Sequence, residues 1–345
     1  MQKRLLRSLL PIALLLALPI ASHAATTTTL PAPRLLSTLP LGGAGGWDYL
    51  SFDTAHRHLF VSRGDRVLVI AVDQHKQVGM IDNTPGVHGI ALAPDLNRGF
   101  ISNGRSAAVT EFDLRTLRTV ATITGTGLNP DAIVYDQPSQ HVFTFNGKSH
   151  SVSVVDPTRS AVIATIGLSG KPEFAVSDGA GHIFVNIEDK SELAELDTAN
   201  DRVLHTWQLA PCASPSGLAL DVRHQRLFSV CDNRLMIVTD ASDGHQVATV
   251  PIGDGPDAVV FDPAESTIYS ANGVSGTITA VHQDDADHYR VSATIPTQVS
   301  ARTLTLDPEL HRLYLSAARL GTSRQPNGRP TIEPDSFGML TVGRP

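Results

Sequence analysis

The sequence is short of most features that would announce an enzyme. Two cysteines occur in 345 residues, aromatic residues make up 5%, and charged residues make up 18%. No HExxH, G-x-S-x-G or CxxC occurs, which removes the common zincin, serine-hydrolase and thioredoxin readings. Gly147-Lys148-Ser149 looks like the end of a phosphate-binding loop, but Val142 stands where its leading glycine is required and no helix pattern follows. Basic residues are scarce as well: 27 Lys and Arg against 34 Asp and Glu give a formal charge of −7. Nucleic acid is an unfavourable partner for such a surface, because affinity for it comes mostly from neutralising phosphates.

One apolar run stands out, Leu9 to Ala21, behind Lys3, Arg4 and Arg7. Pro11 and Pro19 interrupt it, and it is too short to span a bilayer. Ser22 and Ala24 supply the small-x-small pattern of a cleavage site, so residues 1–24 are read as a signal peptide. The expected mature protein is periplasmic, with no membrane span and a charge of −10. Residues 25–34, rich in Thr, Pro and Ala, are read as a linker, and residues 35–345 as one domain.

What the chain does contain is a repeat. Similar segments begin at Trp47, Val87, Pro130, Pro172, Pro215, Pro256 and Ala301, spaced by 40, 43, 42, 43, 41 and 45 residues. Each opening run is followed by a second strand pattern such as HVFTFNG or RLFSVCDN, then by a third and a fourth rich in β-branched residues. Four strands repeated seven times predict an all-β, seven-bladed β-propeller of antiparallel blades. The last repeat lacks a fourth strand, and LLSTLPLGG from Leu35 has that pattern. The N-terminal strand is therefore expected to complete the last blade and close the ring, removing an exposed edge.

In a propeller the innermost strand of each blade lines the channel. Its first residue is, in blade order, Asp48, His88, Asp131, Glu173, Ser216, Asp257 and Arg302. The position varies in type and stays polar, as expected of a ligand-facing mouth. Four carboxylates and an imidazole brought together call for a counter-charge. Arg302 could supply it, or one divalent metal ion held by Asp48, His88 and Glu173. Second strands end in Asn103, Asn146, Asn186, Asp232-Asn233 and Asn272, which are read as further ligand-facing groups, with Trp47 as an aromatic wall. Glu188, Asp189 and Lys190 replace the Asn-Gly turn of other blades and are read as a ligand contact or a plain turn.

Five residues beyond the ring position stands Asp53, Asp136, Asp178, Asp221, Asp262 or Asp307 in six repeats. These read as turn caps, followed by a solvated rim of His56, His141, His182, His224 and His311. Cys212 and Cys231 flank adjacent strand ends in the fifth repeat, and a structural disulfide is expected in an oxidising compartment.

The segments GPDAVVFDP from Gly255, IYSANGVSGTITAV from Ile268, NPDAIVYD from Asn129 and FNGKSHSVSVVD from Phe145 resemble the YncE-like periplasmic proteins of the YVTN propeller family. The resemblance implies the propeller fold over nearly the whole mature chain. Its functional range takes in binding proteins, and related propellers include lactonases and quinoprotein-like subunits. His88 and Arg302 depart from the repeat and argue against a mouth that is only scaffold. The preferred expectation is a periplasmic binding or accessory protein that holds a small polar molecule or metal ion at the ring. The alternatives are a metal-dependent hydrolase or lactonase using His88, Glu173 and Arg302, and a protein-protein scaffold whose partner is another envelope protein.

Overall fold

The computed structural model describes residues 31–325, 328 and 330–345. The expected signal peptide and most of the expected linker lie outside the described residues. Seven four-stranded antiparallel sheets account for nearly all of the regular structure. In blade three, for example, the strands run Pro130–Asp136, His141–Asn146, Ser151–Asp156 and Ala161–Gly167, from the inside outward. Blade seven takes Leu304–Asp307, Arg312–Ala317 and Gly338–Gly343 from the C-terminal end and Arg34–Pro40 from the N-terminal end. Arg34 pairs with Gly343 and Pro40 with Gly338, so the closing strand is where the repeat count requires it. Among the described residues no helix is long and apolar enough to cross a membrane.

The few aromatic residues are concentrated where they hold the ring together. The third residue of every second strand is aromatic: Phe60, Phe100, Phe143, Phe184, Phe228, Tyr269 and Tyr314. None is more than 4% exposed. Each packs into a cluster shared with the following blade, and seven such clusters stand for the seven interfaces between neighbouring blades. Burying one such side chain stabilises the fold by roughly 1.5–3 kcal/mol. Alternation along the second strands puts the aromatic and its apolar partners between sheets.

Blade seven carries an excursion that the repeat pattern does not show. Between Ala317 and Gly338 the chain makes a small hairpin, Leu320–Arg324 against Pro330–Ile332, before returning to the third strand. It lies on the same side as the loops that enter the inner strands and borders a cavity described below.

Candidate functional site

The ring residues point to the axis because the inner strands break register there. In blade three Pro130 pairs with Asn146, but the next pair is Ile133 with Thr144, which leaves Asp131 and Ala132 outside the ladder. The same shift occurs after Val87, Pro172, Pro215 and Pro256. Hydroxyls from second strands and neighbouring blades take up the freed backbone groups. Asp48 N–H donates to Ser62 Oγ at 2.8 Å, Gly89 N–H donates to Ser102 Oγ at 2.8 Å, and Thr303 Oγ1 donates to the Asp48 carbonyl at 2.7 Å. The strands that present the ring are thus tied together beneath it.

Three cations stand among the ring acids. His88 Nδ1 lies 2.6 Å from Asp48 Oδ2 and 3.6 Å from Asp131 Oδ1. Arg302 Nη1 lies 2.5 Å from Asp257 Oδ2, while Nη2 lies 3.6 Å from Asp48 Oδ1 and donates to the Trp47 carbonyl at 2.9 Å. The third cation is Lys171, which the sequence reading missed. Its ammonium lies 2.5 Å from Glu173 Oε1 and also bonds Glu188, while Asp189 accepts its backbone N–H at 2.7 Å. Glu188 and Asp189 therefore serve the ring by positioning Lys171. A signal for Lys171 was present in the loop ahead of the ring, where Asn129, Ser214 and Gly255 occupy the position before proline with positive φ and lysine stands instead in blade four.

The electrostatics follow from this mixture. Burial alone would lower the His88 pKa, but the Asp48 hydrogen bond and the charges of Asp131, Asp48 and Glu173 outweigh it and raise His88 to about 9. His88 is an imidazolium at neutral pH. Burial pushes the Asp131 and Glu173 carboxyls well above the ordinary carboxylate range; His88 opposes this at Asp131, and Lys171 opposes it at Glu173. Asp257 is also raised by burial, against the pull of Arg302. His88 owes its place to Gly104, where a Cβ would come within 2.7 Å of the imidazole Nε2.

Directly below the ring two aromatic side chains, Tyr49 and Phe174, meet across the channel. The next residue of each inner strand is Tyr49, Gly89, Ala132, Phe174, Gly217, Ala258 or Thr303. The two aromatic rings, from blades one and four, meet edge to face with centroids 5.1 Å apart. A Cβ on Gly89 would come within 3.0 Å of the Asp131 carbonyl, and one on Gly217 within 2.7 Å of the Ala258 backbone, so the tier has no room for more side chains. The acids raise the Tyr49 phenol further above its ordinary pKa, after burial as the main cause. The mouth is a polar cup with an aromatic floor.

Several expected contacts are not in the cup. Asn103, Asn146, Asn186 and Asn272 are at most 1% exposed. Asn103 bonds Thr110, Asn146 bonds Ser151 and Ser153, and Asn272 bonds Thr277 and Thr279, all within their own blades. Asn186 donates to the Ser216 and Gly217 carbonyls and accepts from Ser229, so it holds up the ring strand of the next blade. The side-chain N–H groups of all four find acceptors inside the sheets, while Asn103 Oδ1 and Asn146 Oδ1 are buried without a donor among the described residues. Asn233 is exposed and bridges the Cys212 loop, donating to the Pro211 carbonyl and accepting from the Ala213 N–H. Ser216 is buried and donates to the Pro256 carbonyl at 3.1 Å. In the ring, the three groups whose ligand atoms lie within 4.8 Å of one another are Asp48, His88 and Asp131, so Asp131 occupies the third position that the sequence reading gave to Glu173. A second such trio, Asp240, Asp243 and His245, lies away from the ring and is mostly exposed.

At the far end of the inner strands the capping aspartates are buried and not merely solvated. Asp53, Asp221 and Asp262 each accept two N–H groups of their own turn. His56, His182 and His224 turn back onto Asp53, Asp178 and Asp221, while His311 reaches Asp262 of the neighbouring blade at 2.8 Å. His141 does not join this pattern and leaves its buried Nδ1 without a partner. Cys212 and Cys231 form a disulfide, with Cα atoms 5.5 Å apart, that ties the loop entering blade five to the end of its second strand.

No protein-family model matches the sequence. The chain is 25% identical over 211 residues to YncE of Salmonella typhimurium, described as an uncharacterized protein, and 24% identical to its counterpart in Salmonella typhi. It spans 58% of the length of these curated relatives, through 59% of its own. Among solved structures it superposes on U3-55K with a TM-score of 0.77 and 11% identity, covering 90% of this chain and 99% of that one. A chain of Kuenenia stuttgartiensis hydrazine synthase gives 0.68 at 15% identity, over 86% and 96%. Identities this low speak for the fold alone. The chain is thus a closed, seven-bladed β-propeller that is similar in sequence to YncE over 211 residues.

Proposed function

We propose that the protein is a binding or accessory propeller whose cup takes up a small cationic or polar ligand, a divalent metal ion being the first candidate. One observation carries this reading. Among the described residues, four ring carboxylates and Glu188 stand with three cations, His88, Lys171 and Arg302, and burial holds two of those carboxyls far above their ordinary pKa. Protons occupy sites that a cation would fill. Asp48, His88 and Asp131 would hold a metal ion, and the imidazolium would have to release its proton to do so.

The test is elemental analysis of purified protein together with thermal shift against Zn, Mn, Ca and small organic cations. A ligand at a hundredfold excess over its Kd stabilises by about 2.7 kcal/mol. The shift is expected to grow as pH rises toward 9 and to vanish in Asp131→Asn. A wild-type melting temperature that no member of the panel moves would refute the cation reading.

A metal-dependent hydrolase or lactonase is the second reading. It is favoured by a three-ligand group that leaves coordination positions open, with Arg302 close enough to Asp48 to orient an anionic substrate. Turnover of a lactone panel, lost together with bound metal in His88→Ala, would support it. We also infer export to the periplasm, on the N-terminal pattern and the disulfide. N-terminal sequencing of periplasmic protein should begin at Ala25.

A further inference from the structure

Beside the cup lies a second cavity with different chemistry. Its volume is about 1180 Å³, ample for a drug-sized molecule. One wall is the glycine-rich segment 43–46 with Trp47, the opposite wall comes from the loops around Val274 and Val299, and Leu320 and Ile332 of the blade-seven hairpin complete it. Val274, Val299 and Leu320 are 63%, 51% and 37% exposed, an unusual gathering of uncovered apolar side chains for one side of a small opening.

The lining carries four acids, and beside them two buried donors, Arg63 and the Trp47 indole, that no acid engages among the described residues. Arg63 lines the cavity and is only 1% exposed, yet among the described residues no carboxylate pairs with it. Its guanidinium stacks on Phe337 at 3.9 Å and donates to carbonyls of Gly42, Gly43, Gly45 and Gly46. Its Nε–H, and the indole N–H of Trp47 on the same wall, are buried without an acceptor among the described residues. Carbonyl dipoles solvate a cation without cancelling its charge, and a buried uncancelled charge favours an anion nearby. The acids of the cavity do not fill that role: Asp257 is engaged by Arg302, Glu333 by Arg319, and Asp232 and Asp335 are exposed.

We infer that this cavity binds an amphiphilic organic anion, a carboxylate on an apolar body, with the carboxylate toward Arg63 and Trp47 and the body against Val274, Val299 and Leu320. The inference does not rest on the cation reading of the cup, although Arg302 and Asp257 stand at the boundary of both sites.

The probe is dansylglycine, with neutral dansylamide as its control. Trp47 and Trp207 are the only tryptophans, so Trp207→Phe leaves Trp47 as the sole energy donor to the dansyl group. Dansylglycine should quench Trp47 saturably, and dansylamide should bind about tenfold or more weakly, as expected for loss of one charge-assisted contact. Arg63→Met should abolish that preference, and since it could disturb folding, Val299→Asp on the exposed wall serves as the second variant. Val299→Asp should lose dansylglycine at an unchanged melting temperature and keep the divalent-cation shift, whereas Asp131→Asn should do the reverse. Equal affinity for the two probes, absence of quenching, or binding indifferent to Val299→Asp would overturn the inference.

Discussion

Each inner strand carries an acidic residue near both of its ends in four of the blades, and the two ends treat a carboxylate in opposite ways. At the turn end, Asp307 is fully buried, accepts the Glu309 and Leu310 N–H groups, and is held by both Nη atoms of Arg57. Burial would raise its pKa, but these partners hold it below the ordinary value, and the same balance lowers Asp178. At the ring end Asp131 and Glu173 are also buried, yet their pKa values go up. The difference is the source of the donors. At the turn end Asp307 and Asp178 each accept two N–H groups of their own turn, with Arg57 of blade one added at Asp307. At the ring end the donors are the side chains of His88, Lys171 and Arg302, and burial outweighs them at Asp131 and Glu173. At one end the donors outweigh burial; at the other, burial outweighs the donors.

The contrast can be broken most directly by mutation. Asp307→Ala leaves two turn N–H groups without their acceptor and takes from Arg57 its buried partner, leaving it Asp73 and Glu309, and should cost about 3–5 kcal/mol in urea unfolding. Asp131→Asn should leave stability unchanged or higher, since it removes a carboxyl that burial penalises. Equal losses in the two variants would show that the ends are not different in kind. Next in size is the disulfide, the covalent tie on the ring side: reduction, or Cys212→Ser with Cys231→Ser, should cost about 3 kcal/mol in the chain-entropy account. A negligible loss would mean that the ring loops are held by packing alone.

The pH profile sharpens the comparison with a smaller effect. His88 has a folded pKa above its unfolded one, so its contribution is complete below about 6.5 and is lost as pH rises through about 9. The raised ring carboxyls act in the same direction, because the folded state binds more protons. Asp178 and Asp307 act oppositely, losing their contribution as pH falls through their lowered values. Apo protein should therefore lose on the order of 1 kcal/mol between pH 6.5 and 9, after discounting for solvent screening, and His88→Gln should make that limb shallower, the raised carboxyls supplying what remains, while sparing the acid one. A flat alkaline limb in the wild type would contradict the imidazolium assignment.

The architecture was readable from the sequence because a propeller writes itself as a period. Seven openings counted the blades, a missing fourth strand located its replacement near Leu35, and the ring position followed by alignment. The site was only half readable. Alignment shows which residues share a register, not how deep each one sits, so Asn103, Asn146, Asn186 and Asn272 passed for ligand groups while lying inside the sheets. Lys171 escaped because it stands two residues ahead of the ring, and its reach comes from a long side chain that no register count includes. Tyr49 and Phe174 are far apart in sequence and touch only because blades one and four face each other across the axis. The cavity walled by Arg63 and the blade-seven hairpin depends on an insertion outside the repeat, about which the period is silent.

The pairing of Arg34–Pro40 with Gly338–Gly343 has a consequence for the order in which this molecule can be made. The first described strand has no partner until the last one is available, so six finished blades would still present raw sheet edges on both flanks. Such an intermediate is an aggregation hazard, and sealing it involves the largest loop closure in the chain. A circular permutant that joins residue 345 to residue 34 and opens between two complete blades would make the seal local, and should refold faster from denaturant with less loss to precipitate.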